Sequence, residues 1–140
     1  MVLGIGVDLV EVMRISRLSL VPGFVGRFFH PAETEYAHAR KSGFEESLAA
    51  CFAAKEAFGK ALGTGIRGFS LKDVEVSHDE AGRPLLRLHG KAAEFFAKSG
   101  GERVLLSLSH ERSMACAFVV IEGPGEKTPA EVSYGRGIGE

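Results

Sequence analysis

Apolar residues recur along this chain in two rhythms, and each change of rhythm marks a new element. Residues 1–8, Met-Val-Leu-Gly-Ile-Gly-Val-Asp, set Ile5 and Val7 in alternation with Gly4 and Gly6, which predicts a buried strand with a carboxylate, Asp8, where it ends. A helix follows over about Leu9–Leu20, with Val12 and Ile15 inward beside Val10 or Leu18, and Pro22-Gly23 ends it. After the short aromatic stretch Phe24–Phe29, His30-Pro31 opens another helix running through Glu33, Tyr36 and Ala39 to residue 41, and Ser42-Gly43 breaks it. The long run Ser47–Gly63 is the central helix. Beyond it, Leu71–His78 and Pro84–His89 alternate as a hairpin across Asp79–Gly82, and Gly90–Gly100 is a short amphipathic helix with Ala92, Phe95 and Phe96 inward. Val104–Ser109 and Met114–Ile121 form a second hairpin, whose second strand is apolar throughout and therefore central.

The helix at Ser47–Gly63 organises the rest. At about 100° per residue, Leu48, Cys51, Phe52, Phe58, Gly59 and Leu62 share one side. Ala50, Ala53, Ala54, Ala57 and Ala61 form the other, small enough to let another backbone come close. A helix without a polar face belongs in an interior, which makes its charges conspicuous. Lys55 projects into the apolar stripe, while Glu56 and Lys60, at i and i+4, sit on its flank. Burying charge is expensive unless it is paired, so these residues predict a ligand or partner; the plainer reading has Lys55 reaching along the surface and Glu56 pairing with Lys60.

Composition narrows the classes. A chain of 140 residues, 45% of them hydrophobic, is one domain with a modest core. A net charge of −1 offers no global field for nucleic acid or membrane, so an electrostatic partner must meet a local patch. Arg14, Arg17 and Arg27 supply one: either a solvated face or a docking surface for an acidic partner. The two cysteines, Cys51 and Cys116, lie in apolar runs, as suits reduced thiols in a cytoplasmic protein. No basic leader and no apolar run of about 18 residues is present, so neither secretion nor a membrane span is expected.

Candidate chemistry lies in scattered residues. Asp8 reads either as the N-cap of the following helix, with Glu11 completing a capping box, or as a metal ligand beside glycines that leave room for a phosphate-sized group. Gly63-Thr-Gly65-Ile-Arg-Gly68 follows a helix instead of preceding one, so it is neither a P-loop nor a dinucleotide fingerprint, and Gly63 serves equally well as a helix C-cap. His110, with Ser109 beside it, is either an ordinary turn histidine or a phosphate contact. No internal repeat and no Cys/His spacing of metal-binding type is seen, and the glycine-rich segment 123–140 reads as a flexible tail after a domain of residues 1–122.

Two segments bring these signals together. Gly4-Ile-Gly-Val-Asp8-Leu-Val-Glu-Val-Met-Arg14-Ile15 and Phe52-Ala-Ala-Lys55-Glu56-Ala-Phe-Gly-Lys60-Ala-Leu-Gly-Thr-Gly-Ile66 resemble the paired signatures of the phosphopantetheinyl transferases, in particular the short holo-(acyl carrier protein) synthases. Arg27-Phe28-Phe29 with Glu33 and Tyr36 resembles that family's third segment, and Leu106–His110 its late strand. The resemblance spans about residues 1–122.

The resemblance implies an α+β fold, a small antiparallel-rich sheet packed on a long central helix, assembling as a homotrimer with active sites between subunits. Neighbouring subunits would then cover the helix that lacks a polar face. It implies transfer of 4′-phosphopantetheine from coenzyme A to a serine of apo acyl carrier protein, of fatty acid biosynthesis or of polyketide synthesis, with release of adenosine 3′,5′-bisphosphate. Asp8 and Glu56 would hold Mg²⁺, and Lys60 would neutralise phosphate or orient the attacking group. The base would be Glu56 or an ordered water. Lys55, Lys60, Gly63, Gly65, Ser109 and His110 would line coenzyme A, and Arg14, Arg17 and Arg27 would dock the carrier protein. The chain departs from the pattern at Cys51, where the family commonly has Arg, so that the phosphate contact either moves to Arg67 or Arg112 or is missing, and at His30, where Leu or Thr is common. A non-catalytic coenzyme A or nucleotide-binding module is the alternative reading, and a purely structural trimerisation domain a third.

Overall fold

The computed structural model describes residues 1–40 and 43–125. The segment 126–140, most of the expected tail, and residues 41–42, the expected end of one helix and its break, lie outside the described residues. The elements run β1 (Val2–Glu11), α1 (Val12–Ser19), α2 (Phe24–Phe28), α3 (Pro31–Ala39), α4 (Phe44–Leu62), β2 (Val74–His78), β3 (Pro84–Leu88), α5 (Gly90–Lys98), β4 (Arg103–His110) and β5 (Met114–Glu122). A three-stranded antiparallel sheet of order β1-β5-β4 carries β5 at its centre, as its uninterrupted apolar run predicts, and β2-β3 form a separate antiparallel pair. This is the α+β architecture expected. No helix among the described residues is long and apolar enough to cross a membrane.

The first boundary differs from expectation. β1 continues past Asp8 and pairs with β5 through Glu11, opposite Met114. Helix α1 therefore starts at Val12, whose N–H donates to Ser113 O at 2.9 Å. Asp8 lies within the strand, opposite Ala117, and caps no helix; Glu11 takes the cap position without a side-chain bond, so the expected capping box does not form. Val10 is buried as a strand residue, while Val12 and Ile15 face inward from α1. Long-range pairing outweighs the local cap signal here because alternate β1 residues gain paired ladder bonds to a central strand.

Helix α4 buries twelve of its nineteen residues inside its own chain. Its alanine side lies on the inner face of the sheet, where Gly4, Gly6, Asp8 and Val10 of β1 sit in register with Ile121, Val119, Ala117 and Ala115 of β5. The approach is so close that a Cβ on Gly6 would stand 2.0 Å from Ala57 O, and one on Gly4 1.9 Å from Ala61 O. These glycines make room for a helix backbone, not for a phosphate. On the opposite side, Phe52 meets Phe24 and Phe29, and Phe58 meets Phe69 edge to face.

The expectation that neighbouring subunits must cover α4 is thus wrong: the helix is sealed within the chain. What the chain leaves bare is the outer face of the sheet. Ile5, Val7 and Leu9 of β1, Phe118 of β5 and Leu105 of β4 are exposed, Ile5 by 61% and Leu9 by 63%. Pairing runs slightly past the strands, since the Met1 ammonium and the Gly123 N–H exchange bonds with each other's carbonyls at 3.0 and 2.9 Å.

Candidate active site

Strand β1 and helix α4 cross where their side chains carry charge. Asp8 projects from the inner face of the sheet toward α4, one row beyond Gly6, and Lys60 of α4 reaches it: its Nζ lies 3.0 Å from Asp8 Oδ1 and 3.0 Å from Val7 O. The ammonium remains largely exposed, whereas the Asp8 side chain is mostly buried. Glu56, one helical turn before Lys60, is partly buried and has no hydrogen bond or ion pair among the described residues. Burial, and then the neighbouring Asp8 carboxylate, push its pKa upward, while Lys60 and Arg14 pull it back. The expected Glu56–Lys60 surface pair is replaced by Lys60–Asp8.

Lys55 behaves differently. It is fully buried, and its Nζ donates to Glu33 Oε1 at 2.7 Å, Leu71 O at 2.9 Å and Val74 O at 2.5 Å. All three ammonium protons are used, so Lys55 neither reaches the surface nor offers a donor to coenzyme A. Glu33 is equally buried; its Oε1 also accepts the His30 N–H at 2.8 Å and its Oε2 the Val76 N–H at 2.9 Å. This buried network ties α3, α4 and β2 together, and the partner that the charge of Lys55 demanded is inside the chain.

A second group of candidates lies beyond the N-terminal half of α4. A cavity of about 200 Å³ is bounded there by Tyr36, Arg40, Ser47, Cys51, His78 and His110, and an adjoining depression adds Glu111 and Arg112. The Tyr36 and His78 rings stack at 4.1 Å, and Arg40 lies over Tyr36 with its guanidinium donating to the phenol oxygen. Burial, then Arg40, hold His78 below the ordinary imidazole range, so it is neutral near pH 7. Burial pushes the Cys51 thiol far up, and nearby Glu33 adds to the effect, so Cys51 contributes a neutral wall where a cation was expected. Arg112 is close enough to serve in its place, whereas Arg67 borders neither cavity.

Arg40, Tyr36 and His78 were not singled out as ligand contacts in the sequence, where no local pattern joins positions on α3 and β2. His110 ends β4 on the cavity side, while Ser109 points to the bare face of the sheet. No hydrogen bond or ion pair among the described residues joins this group to Asp8, Glu56 and Lys60. Gly63 ends α4 at φ 80°, where glycine avoids the left-handed penalty, and the Gly65 N–H returns to Gly59 O at 2.9 Å.

Arg14, Arg17 and Arg27 are exposed and form no ion pair among the described residues. Arg14 lies over the Phe52 ring at 5.8 Å and close enough to Glu56 to lower its pKa, so it flanks the acidic pair; Arg27 lies over Phe28 at 5.2 Å.

A family model described as the 4′-phosphopantetheinyl transferase superfamily matches residues 4–119. A holo-[acyl-carrier-protein] synthase of Treponema denticola is 48% identical over 123 residues, 88% of this chain and 100% of that protein. The crystal structure of a holo-[acyl-carrier-protein] synthase from Neisseria meningitidis superposes with a TM-score of 0.79 at 39% identity, covering 87% of this chain and 99% of that one. A Chronobacterium ammoniagenes complex of the synthase with coenzyme A follows with a TM-score of 0.76 at 32% identity, over 87% and 98% of the two chains. With Asp8, Glu56 and Lys60 placed together by β1 and α4, and with likeness running through nearly the whole length of these relatives, the chain belongs to the 4′-phosphopantetheinyl transferase superfamily, among its holo-[acyl-carrier-protein] synthases.

Proposed function

We propose that the protein moves 4′-phosphopantetheine from coenzyme A to a serine hydroxyl of apo acyl carrier protein, releases adenosine 3′,5′-bisphosphate, depends on Mg²⁺, and works in the cytoplasm as a homotrimer. The observation that carries this reading is the crossing of β1 and α4, where two carboxylates and an exposed ammonium converge. The reaction is attack on a phosphorus of a pyrophosphate, so charge neutralisation and alignment dominate it.

The donor set fits a hard cation. Asp8 and Glu56 offer oxygen ligands only, and the repulsion from Asp8 that adds to burial in raising the Glu56 pKa is what a bound cation would relieve. Mg²⁺ held there would neutralise charge developing on the pyrophosphate. Lys60 orients Asp8 through the 3.0 Å contact and presents its exposed ammonium to a phosphate oxygen. Either Glu56 or an ordered water takes the serine proton. Arg40, His110 and Arg112 border a cavity suited to a phosphate-bearing nucleotide, with Tyr36 and His78 as stacking surfaces.

The trimer reading rests on the bare apolar face of Ile5, Val7, Leu9 and Phe118. Ser109 shares that face, so a neighbouring subunit seated there would bring a second chain to the edge of the site. Labelled coenzyme A, Mg²⁺ and apo carrier protein, incubated with the enzyme, test the whole. Mg²⁺-dependent labelling of the carrier serine is expected. Coenzyme A binding without transfer would instead establish the non-catalytic module, and neither event would leave a structural domain.

A further inference from the structure

Away from the β1–α4 crossing, three residues distant in sequence meet. His30 precedes α3, Glu75 lies in β2 and His89 precedes α5, and one ligand atom of each lies within 4.8 Å of the others. His89 Nε2 is 2.8 Å and His30 Nε2 3.8 Å from the same Glu75 oxygen, and the two rings stack at 5.3 Å with 17° between planes. Glu75 is only 6% exposed, yet no lysine or arginine among the described residues pairs with it. Its cross-strand neighbour Arg87 is exposed and forms no ion pair with it among the described residues. A buried carboxylate without a fixed cation is costly, and here the groups in reach are two imidazoles whose nitrogens are also metal donors.

We infer that His30, Glu75 and His89 form a binding site for a divalent transition ion of the Zn²⁺ class, separate from Asp8 and Glu56. Two imidazole nitrogens and one carboxylate oxygen are the donor set that borderline ions prefer and that Mg²⁺ does not. Ideal tetrahedral bonds of about 2.0–2.1 Å put donors about 3.3 Å apart, between the two nitrogen-to-oxygen separations observed. His89 is 44% exposed, which leaves a side open for entry and for a water ligand.

His30 must change tautomer to bind. Its Nδ1 now accepts the Ala32 N–H at 3.1 Å, so in the neutral ring the proton sits on Nε2, facing Glu75. Ligation through Nε2 moves that proton to Nδ1 and releases the Ala32 N–H, which is exposed and turns to water. Proton number is conserved: each neutral imidazole keeps one proton. The ion would clip the starts of α3 and α5 to β2, and so acts on stability.

The test uses the full chain, stripped with chelator and saturated with Mg²⁺ to cover the acidic pair. Zn²⁺ is titrated by calorimetry, Co²⁺ by visible absorption, and Tm is followed with Zn²⁺. One saturable Zn²⁺ per chain, four-coordinate Co²⁺ absorption and a raised Tm are expected. His89→Ala, at an exposed position, and Glu75→Gln should each weaken Zn²⁺ about tenfold or more, while Asp8→Asn should not. Absence of saturable Zn²⁺ binding, binding that survives both substitutions, or binding lost with Asp8→Asn overturns the assignment.

Discussion

At the scale of single residues, Glu56 and Lys55 are adjacent in sequence but face opposite environments, one partly open and one fully buried. Glu56 has a raised pKa in the folded chain, so the fold is favoured by its protonated form. That contribution is complete below the unfolded carboxylate pKa and is lost as pH rises through the folded value, above which an ionised, partly buried carboxylate stands beside Asp8. Glu56→Gln should therefore raise Tm in metal-free neutral buffer, with the gain shrinking toward acid pH, while cutting kcat/KM by about 10²-fold or more. A variant with near-full Mg²⁺-dependent transfer would remove Glu56 from the site. Lys55→Met should act on stability instead. Leaving Glu33 ionised and buried without its cation costs about 3–5 kcal/mol, measurable by urea unfolding. Adding Glu33→Gln should restore only part of it, because Glu33 also accepts the His30 and Val76 N–H groups.

At the scale of elements, the seam between β1 and α4 sets the site's geometry. Asp8 reaches Lys60 because Gly4 and Gly6 let the strand lie against the helix backbone. Gly6→Ala would drive a methyl to 2.0 Å from Ala57 O, and the strand must then lift. We expect a loss of about 1–3 kcal/mol or more in chemical unfolding, together with a fall in kcat as Asp8 and Lys60 separate. Gly26→Ala is the control: it lies in α2 with open space around it, so it should be neutral or stabilise by about 0.5–1 kcal/mol. Equal effects from the two substitutions would show that the close approach does not matter.

For the molecule as a whole, two surfaces remain to be covered. The apolar outer face of the sheet is proposed as the subunit contact, and Phe118→Asp should give monomers by light scattering, with transfer lost if the site needs two chains. Retention of the wild-type mass would refute that contact. The basic surface is proposed to meet an acidic carrier protein. Arg17→Glu and Arg27→Glu should raise KM for the carrier by an amount on the order of one to a few kcal/mol in kcat/KM, with little change for coenzyme A, and added salt should slow the wild type. Arg14→Glu should raise carrier KM as well and, because Arg14 flanks Glu56, should also move the acid limb of the pH profile upward.

The sequence by itself determined most of the elements, because each is written in a local rhythm: alternation in β2 and β3, an unbroken apolar run in β5 and helix at α4, proline and glycine at the breaks. It also singled out Asp8, Glu56 and Lys60, since charges on an apolar helix and at a glycine-flanked strand are anomalies that a single chain displays. Tertiary structure decided what those charges do. Asp8 is a strand residue because pairing with β5 overrode a local cap signal, and Lys55 is internal because Glu33 and two carbonyls, 16 to 22 positions away, converge on it. The alanine stripe faces this chain's own strand, so the bare surface moved from the helix to the outer face of the sheet. His30, Glu75 and His89 are brought together by three separate loops and strands, a juxtaposition that periodicity cannot encode, because it depends on chain paths that only the closed core fixes.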